Sequence, residues 1–185
     1  MHRGSWFPVI VLLTACGSGL QTAADWNQQT DFTAFETYAW TPDDAGSPGI
    51  DELTNGRVRT AIEETLNGKG LRQVPLEQAD LAVDYQITTE DQTNYTTTST
   101  GWGGGYGRYG AGWGGAGIGV STSTTRATTY TNGTLVIGIF SPGSLEVLWH
   151  GSGTTKLRDN LTPEQRTANV TNAVVKILEK FPPEN

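Results

Sequence analysis

The stretch NGTLVIGIFSPGSLEVLWH at residues 132–150 decides the fold. Leu135, Ile137 and Ile139 fall on every second position, the period of a strand with one buried face. Asn132-Gly133 just before them is the strongest short hairpin signal a sequence carries. Ser141-Pro142-Gly143-Ser144 reads as a second turn, with Pro suited to its second position and Gly to its third. Leu145, Val147 and Trp149 then alternate again. Residues 118–157 therefore predict an antiparallel meander.

Upstream, Leu81, Val83, Tyr85 and Ile87 alternate with Ala82, Asp84, Gln86 and Thr88, so Asp84 belongs to a solvated face. That strand runs on into the Thr-rich stretch 93–100, and Thr-rich sequence resumes at 121–131. Phe35–Trp40 is aromatic and β-prone, Leu71–Val74 is a further short strand, and 41–50, with two Pro and two Gly, is a loop. Two helices are expected. Over 51–69, Leu53, Val58, Ala61, Ile62 and Leu66 share one side. Asp51 or Thr54 caps that helix, Gly70 suits its C′ position, and Asn55-Gly56 predicts that the stable part begins near residue 56. The second starts at Thr162-Pro163-Glu164-Gln165, a capping box with Pro at N1. It carries Val170, Ala173, Val174, Ile177, Leu178 and Phe181 and stops at Pro182-Pro183. Neither stripe can be buried alone. The expected fold is α+β, a two-layer sandwich of one antiparallel sheet with two amphipathic helices packed on one face.

The ordered set DFTAFETYAW, RVRTAIEETLNGKGL, ADLAVDYQI, NGTLVIGIF, LEVLWHGSG and a terminal helix ending in FPP resembles the bacterial lipoprotein family catalogued as domain of unknown function 4136. The resemblance covers residues 25–183. It implies an envelope lipoprotein domain and supplies no catalytic residues.

Residues 1–16, MHRGSWFPVIVLLTAC, agree with that. Arg3 gives a short positive region, and Trp6–Leu13 is an apolar run too short to span a bilayer, which takes about 20 residues. Leu13-Thr14-Ala15-Cys16 resembles a lipobox, in which the Cys is lipidated and becomes the first residue of the mature chain. On this reading 1–15 is a signal peptide, Cys16 carries the acyl chains, 16–30 is a flexible tether and 31–183 is one domain. Gly17-Ser18 lack the Asp that resembles an inner-membrane retention signal, which points to the outer membrane, facing the periplasm.

The whole chain has 185 residues, 12 Lys+Arg, 19 Asp+Glu, one Cys and two His. A net charge of −7 argues against nucleic acid as a partner. One Cys rules out an internal disulfide, and no metal or cofactor site is expected. His150 is the only His left after Cys16, and no GxSxG elbow accompanies it, so no catalytic residues are assigned. The acid pairs Asp43-Asp44, Asp51-Glu52 and Glu90-Asp91 read as loop or helix-start residues. The composition is locally skewed: residues 101–119, GWGGGYGRYGAGWGGAGIG, are a long Gly-rich hairpin connection. Gly105–Gly110 matches GxGxxG, but no helix follows and position 130 is Tyr, so it is no dinucleotide fingerprint. Trp102, Tyr106, Tyr109 and Trp113 beside Arg108 form a candidate contact loop. The expected function is a lipid-anchored envelope protein with a non-enzymatic structural or assembly role. Its partners are the membrane, through Cys16, and an envelope protein or glycan. Trp40, Tyr85 and Trp149 at strand positions read as core or edge packing, with an aromatic-lined groove between sheet and helices as the alternative. The alternative function is a binding module for a lipid, glycan or small apolar ligand, in that groove or in the aromatic loop.

Overall fold

The structure, a computed structural model, describes residues 19–42, 46–100 and 122–183. Six strands and two helices follow in the order β1 (Gln21–Trp26), β2 (Thr37–Trp40), α1 (Glu52–Gly68), β3 (Arg72–Gln73), β4 (Leu81–Thr100), β5 (Thr122–Phe140), β6 (Val147–Lys156) and α2 (Pro163–Leu178). The strands form one sheet in the order β1-β6-β5-β4-β2-β3. The fold is α+β.

The sheet is mixed, which corrects the purely antiparallel expectation. The neighbours β4–β5, β5–β6 and β6–β1 are antiparallel, but β2 runs parallel to both β3 and β4. The physical reason is the crossover. Helix α1 carries the chain back from the end of β2, so the next strand enters in the same direction. Asp80 locks this corner. Its carboxylate accepts from the Thr37 hydroxyl (2.7 Å) and from the backbone N–H of Glu36 and Thr37 (3.1 and 2.9 Å).

Strand β1 is a second correction. The segment read as a tether through residue 30 enters the sheet at Gln21 and pairs with β6 from Gln21↔Thr154 to Trp26↔Trp149. Ala24 and Trp26 pack on the core, so the alternation there is that of an edge strand.

The core lies on one face. Tyr38 and Trp40 of β2, Leu81, Val83 and Tyr85 of β4, Leu135, Ile137 and Ile139 of β5, and Trp149 of β6 are buried there. Val58, Ala61, Ile62 and Leu66 of α1 and Val174, Ile177 and Leu178 of α2 close it, with Phe181 after α2. Phe181 stands edge-on to Trp149 at 5.4 Å and to Phe32 at 5.8 Å. Leu53 does not join this stripe and is 71% exposed.

Both helices begin where their caps place them. Asp51 accepts from the Thr54 N–H at 2.9 Å, and Thr162 and Gln165 form the reciprocal capping box. Helix α1 starts at Glu52 rather than near 56, because Asn55 is held from several sides. Its amide donates to Ile50 O, and its side-chain oxygen accepts from Ser47 N and from the Tyr85 hydroxyl. Gly70 takes φ +93° just past the helix end.

Two predicted turns come out differently. Asn132-Gly133 is no turn: both residues lie inside β5, paired to Glu90 and Thr89 of β4 and to Lys156 and Thr155 of β6. Continuous neighbours on both sides hold this stretch extended, and a Cβ on Gly133 would run into the Leu157 side chain at 2.7 Å. The 141–144 turn is wider than predicted. Leu145 N donates to Ser141 O, and the left-handed residue is Leu145 (φ +54°), not Gly143. Leu145 and Val147 are therefore exposed, and a register shift between Ile139 and Phe140 restores the buried phase at Trp149.

Candidate functional site: a projecting β-arm

Strands β4 and β5 continue well past the rest of the sheet. Strand β6 ends at Lys156, opposite Asn132, while the β4–β5 ladder runs on in unbroken register to Thr100↔Thr122. Ten residues of each strand thus form a two-stranded arm, roughly 33 Å long at 3.3 Å per residue. Its side chains from Gln92 to Thr98 and from Ser123 to Thr129 are exposed, so neither face is a core face. β-branched Thr favours the extended backbone, and its hydroxyls supply cross-strand rungs. Thr93 and Thr129 meet at 3.2 Å, as do Thr97 and Thr125. The Thr131 hydroxyl donates to Asp91 at 2.6 Å. At the base, Tyr130 donates to Gln92 at 3.0 Å, and the Lys156 ammonium lies 4.4 Å from the Tyr130 ring centre. Glu90-Asp91 therefore sits in a strand, not in a loop.

The arm bears a shallow trough of about 490 Å³ lined by Thr96, Thr98, Thr124 and Arg126. Tyr95 stands 73% exposed on the other face. A second shallow depression of about 460 Å³ runs between α1 and α2, where Arg57 Nε donates to the Thr167 hydroxyl at 3.1 Å.

Cys16 lies outside the described residues, as do Trp102, Tyr106, Arg108, Tyr109 and Trp113 of the contact loop, and Asp43-Asp44. The loop's points of departure and return, Thr100 and Thr122, are paired neighbours at the arm's tip. Trp40, Tyr85 and Trp149 do not line a groove; they are core. Trp40 donates from Nε1 to Glu63 at 2.9 Å beneath Arg59, Tyr85 packs edge-on to Trp40 at 5.9 Å, and Trp149 donates to Lys180 O at 3.2 Å. His150 is exposed on the open face, in a cross-sheet row with Asp25, Gly138 and Asp84. Among the described residues no three His, Cys, Asp or Glu side chains cluster as metal ligands would. No helix among them is long and apolar enough to cross a membrane.

The shifted acids are structural. The Thr37 hydroxyl and the Glu36 N–H hold the Asp80 carboxyl below the usual aspartate value. Hydrogen bonds from the Thr54 and Thr33 sites do the same for Asp51 and Asp31. Burial, then Glu63, pushes the Tyr38 hydroxyl up to about 12.

Two residues the sequence reading passed over matter more than any of these. Gly151 and Gly153 lie on the core face beside Trp149. A Cβ at Gly151 would collide with the Trp149 ring and with Ile177, and one at Gly153 would sit 2.8 Å from Ile177. The signal was in the stretch WHGSG: Gly at alternate strand positions marks close backbone approach, here of helix α2.

Fold and arm together define a class: a two-layer α+β domain with a mixed sheet and a projecting hairpin. The chain belongs to the family described as Domain of unknown function (DUF4136), which matches residues 22–183. No curated protein matches it. Its fold is similar to that of a PDZ domain protein from Parabacteroides distasonis (TM-score 0.53, 14% identity), with 91% of this chain and 38% of that one covered. The chain thus spans well under half of that protein. It is similar also to the PelC dodecamer from Paraburkholderia phytofirmans (TM-score 0.51, 11% identity), with 90% of this chain and 99% of that one covered.

Proposed function

We propose that this protein is a lipid-anchored lipoprotein of the bacterial envelope with a non-enzymatic accessory or assembly role, and that the β-arm is its contact element. The arm carries this reading. Twenty residues stand in unbroken register, and none of their described side chains joins the core, so folding of the body does not account for them. The chain nevertheless holds them as a stiff ladder and joins the aromatic, Gly-rich segment to its tip. The anchor half rests on the LTAC sequence ending at Cys16 and on Gly17-Ser18 after it, which favour the outer membrane facing the periplasm.

The anchor is tested by Cys16→Ser, expected to move the protein from the membrane to the soluble fraction; a variant that still sediments with membranes removes it. The contact role is tested by cross-linking from the arm in intact cells. A photoreactive residue at Tyr95 is expected to capture envelope components, and one at Leu53 on α1 is not. Equal capture from both positions would count against the arm.

A glycan-binding reading has one observation in its favour: exposed Tyr95 on the same arm as the hydroxyl-lined trough with Arg126. A glycan array on the purified protein, with Tyr95→Ala as control, decides it.

A further inference from the structure

The backbone of the arm points to what it meets. On β4, odd-numbered residues direct their N–H and C=O away from β5. Val83 O accepts from Thr41 N and Ile87 N donates to the Ser47 hydroxyl, both on the far side from β5. On β5, odd-numbered residues point away from β4, since Thr131 O accepts from Leu157 N on the β6 side. In the arm these outward groups belong to the odd residues 91–99 of β4 and 123–129 of β5. Among the described residues nothing pairs with them. Among the described residues the arm therefore has two bare strand edges, one on each side.

Bare edges are templates for another strand, and proteins usually blunt them with Lys, Pro, a bulge or a covering element. Neither Lys, Pro nor a bulge interrupts the arm: residues 91–100 and 122–131 contain no Lys and no Pro, and the ladder has no register shift there. The few charges are sorted by strand. Glu90 and Asp91 lie on β4, and Arg126 lies on β5. Glu90 and Arg126 both stand at even positions and so on one face, and a β4–β5 seam can set these opposite charges on the same face, which a β4–β4 seam cannot. The β5 edge is already used this way lower down, where β6 pairs along it antiparallel as far as Lys156. An incoming strand would continue the ladder where β6 stops.

We propose that the arm is a self-assembly element: the free β4 edge of one copy pairs antiparallel with the free β5 edge of the next. All arms then point the same way. Each copy offers one edge of each kind, so the contact is heterologous and extends to a ring or a filament. Thr faces Thr across the new seam, as in the rungs already formed at Thr93–Thr129 and Thr97–Thr125.

Proline separates the edges cleanly. The Thr93 and Thr125 N–H groups face outward, so Thr93→Pro blocks only the β4 edge and Thr125→Pro only the β5 edge, leaving the internal ladder intact. The measurement is sedimentation velocity of the full chain in detergent over a concentration series, with circular dichroism as the check on folding. The wild-type chain is expected to form oligomers whose mass rises with concentration. Each variant alone is expected to be monomeric. Their equimolar mixture is expected to form a one-to-one pair, because each supplies the edge the other lacks. A wild-type chain that stays monomeric overturns the proposal, including one that associates only with vesicles or another protein. So does a variant that still oligomerises alone, or a mixture that does not pair. Should proline disturb the arm, Thr93→Lys and Thr125→Lys carry the same three expectations.

Discussion

Gly151 and Gly153 set how near α2 can lie to the sheet, and a methyl group there has nowhere to go. Gly151→Ala should cost about 1–3 kcal/mol, the usual range for overpacking a filled core. Urea unfolding reads it as a lower midpoint at unchanged slope, and an unaffected midpoint would mean that α2 can slide. Tyr38 gives the opposite case. Its hydroxyl is buried and has no hydrogen-bond partner among the described residues. Tyr38→Phe removes a desolvated polar atom and should raise stability by roughly 1 kcal/mol. A loss of that size instead would reveal a partner for the hydroxyl. Asp80 makes stability depend on pH. Its carboxyl titrates below the ordinary value of 3.8, so the stabilisation is full above that pH and fades as pH falls through the lower folded value. Asp80→Asn should therefore weaken the fold at neutral pH and converge with the wild type in acid. A constant difference at every pH would show that the corner is held by shape rather than charge.

At the scale of elements, the helices were plain in the sequence and the turns were not. Caps and a 3.6-residue stripe are local, so Asp51, Thr162 and Gly70 fall where the residues place them. Asn132-Gly133 failed as a hairpin because turn preference is a local bias of modest size. Ladder partners on two sides override it, and one of those partners, β6, is invisible from the dipeptide. The parallel pairing of β2 was equally hidden, since pairing direction depends on where a crossover returns the chain. The arm was half legible. Thr-rich strands were expected on both sides of the Gly-rich segment, but their length beyond the core depends on where β6 ends. Because core contacts stop near Ile87 and Leu135, the body should not need the arm. Replacing residues 91–131 by a two-residue turn should leave the melting temperature of the body nearly unchanged. A large fall would show that the arm supports the fold.

For the whole molecule, the early start of β1 matters most. Strand β1 begins at Gln21, on the row Gln21–Thr154–Thr134–Thr88, at the end of the sheet from which the arm leaves. Four residues lie between Cys16 and Gln21, and the five backbone steps reach at most about 18 Å. From that row the arm extends roughly 40 Å in the same direction. A chain held to a bilayer by Cys16 is thus on a leash shorter than its own reach. On the proposed anchor the body would not stand off far enough for the arm to hang free, and the arm is expected to lie along the lipid headgroups. A fluorophore on Tyr95→Cys should be quenched by headgroup-bound quenchers in vesicles carrying the lipidated chain. A long Gly/Ser insertion after Ser18 should relieve that quenching. Equal quenching with and without the insertion would show that reach does not govern the posture. With Cys16 as anchor, so short a leash would make the membrane itself a wall that orients the domain, and neighbouring copies would meet with their arms in one plane.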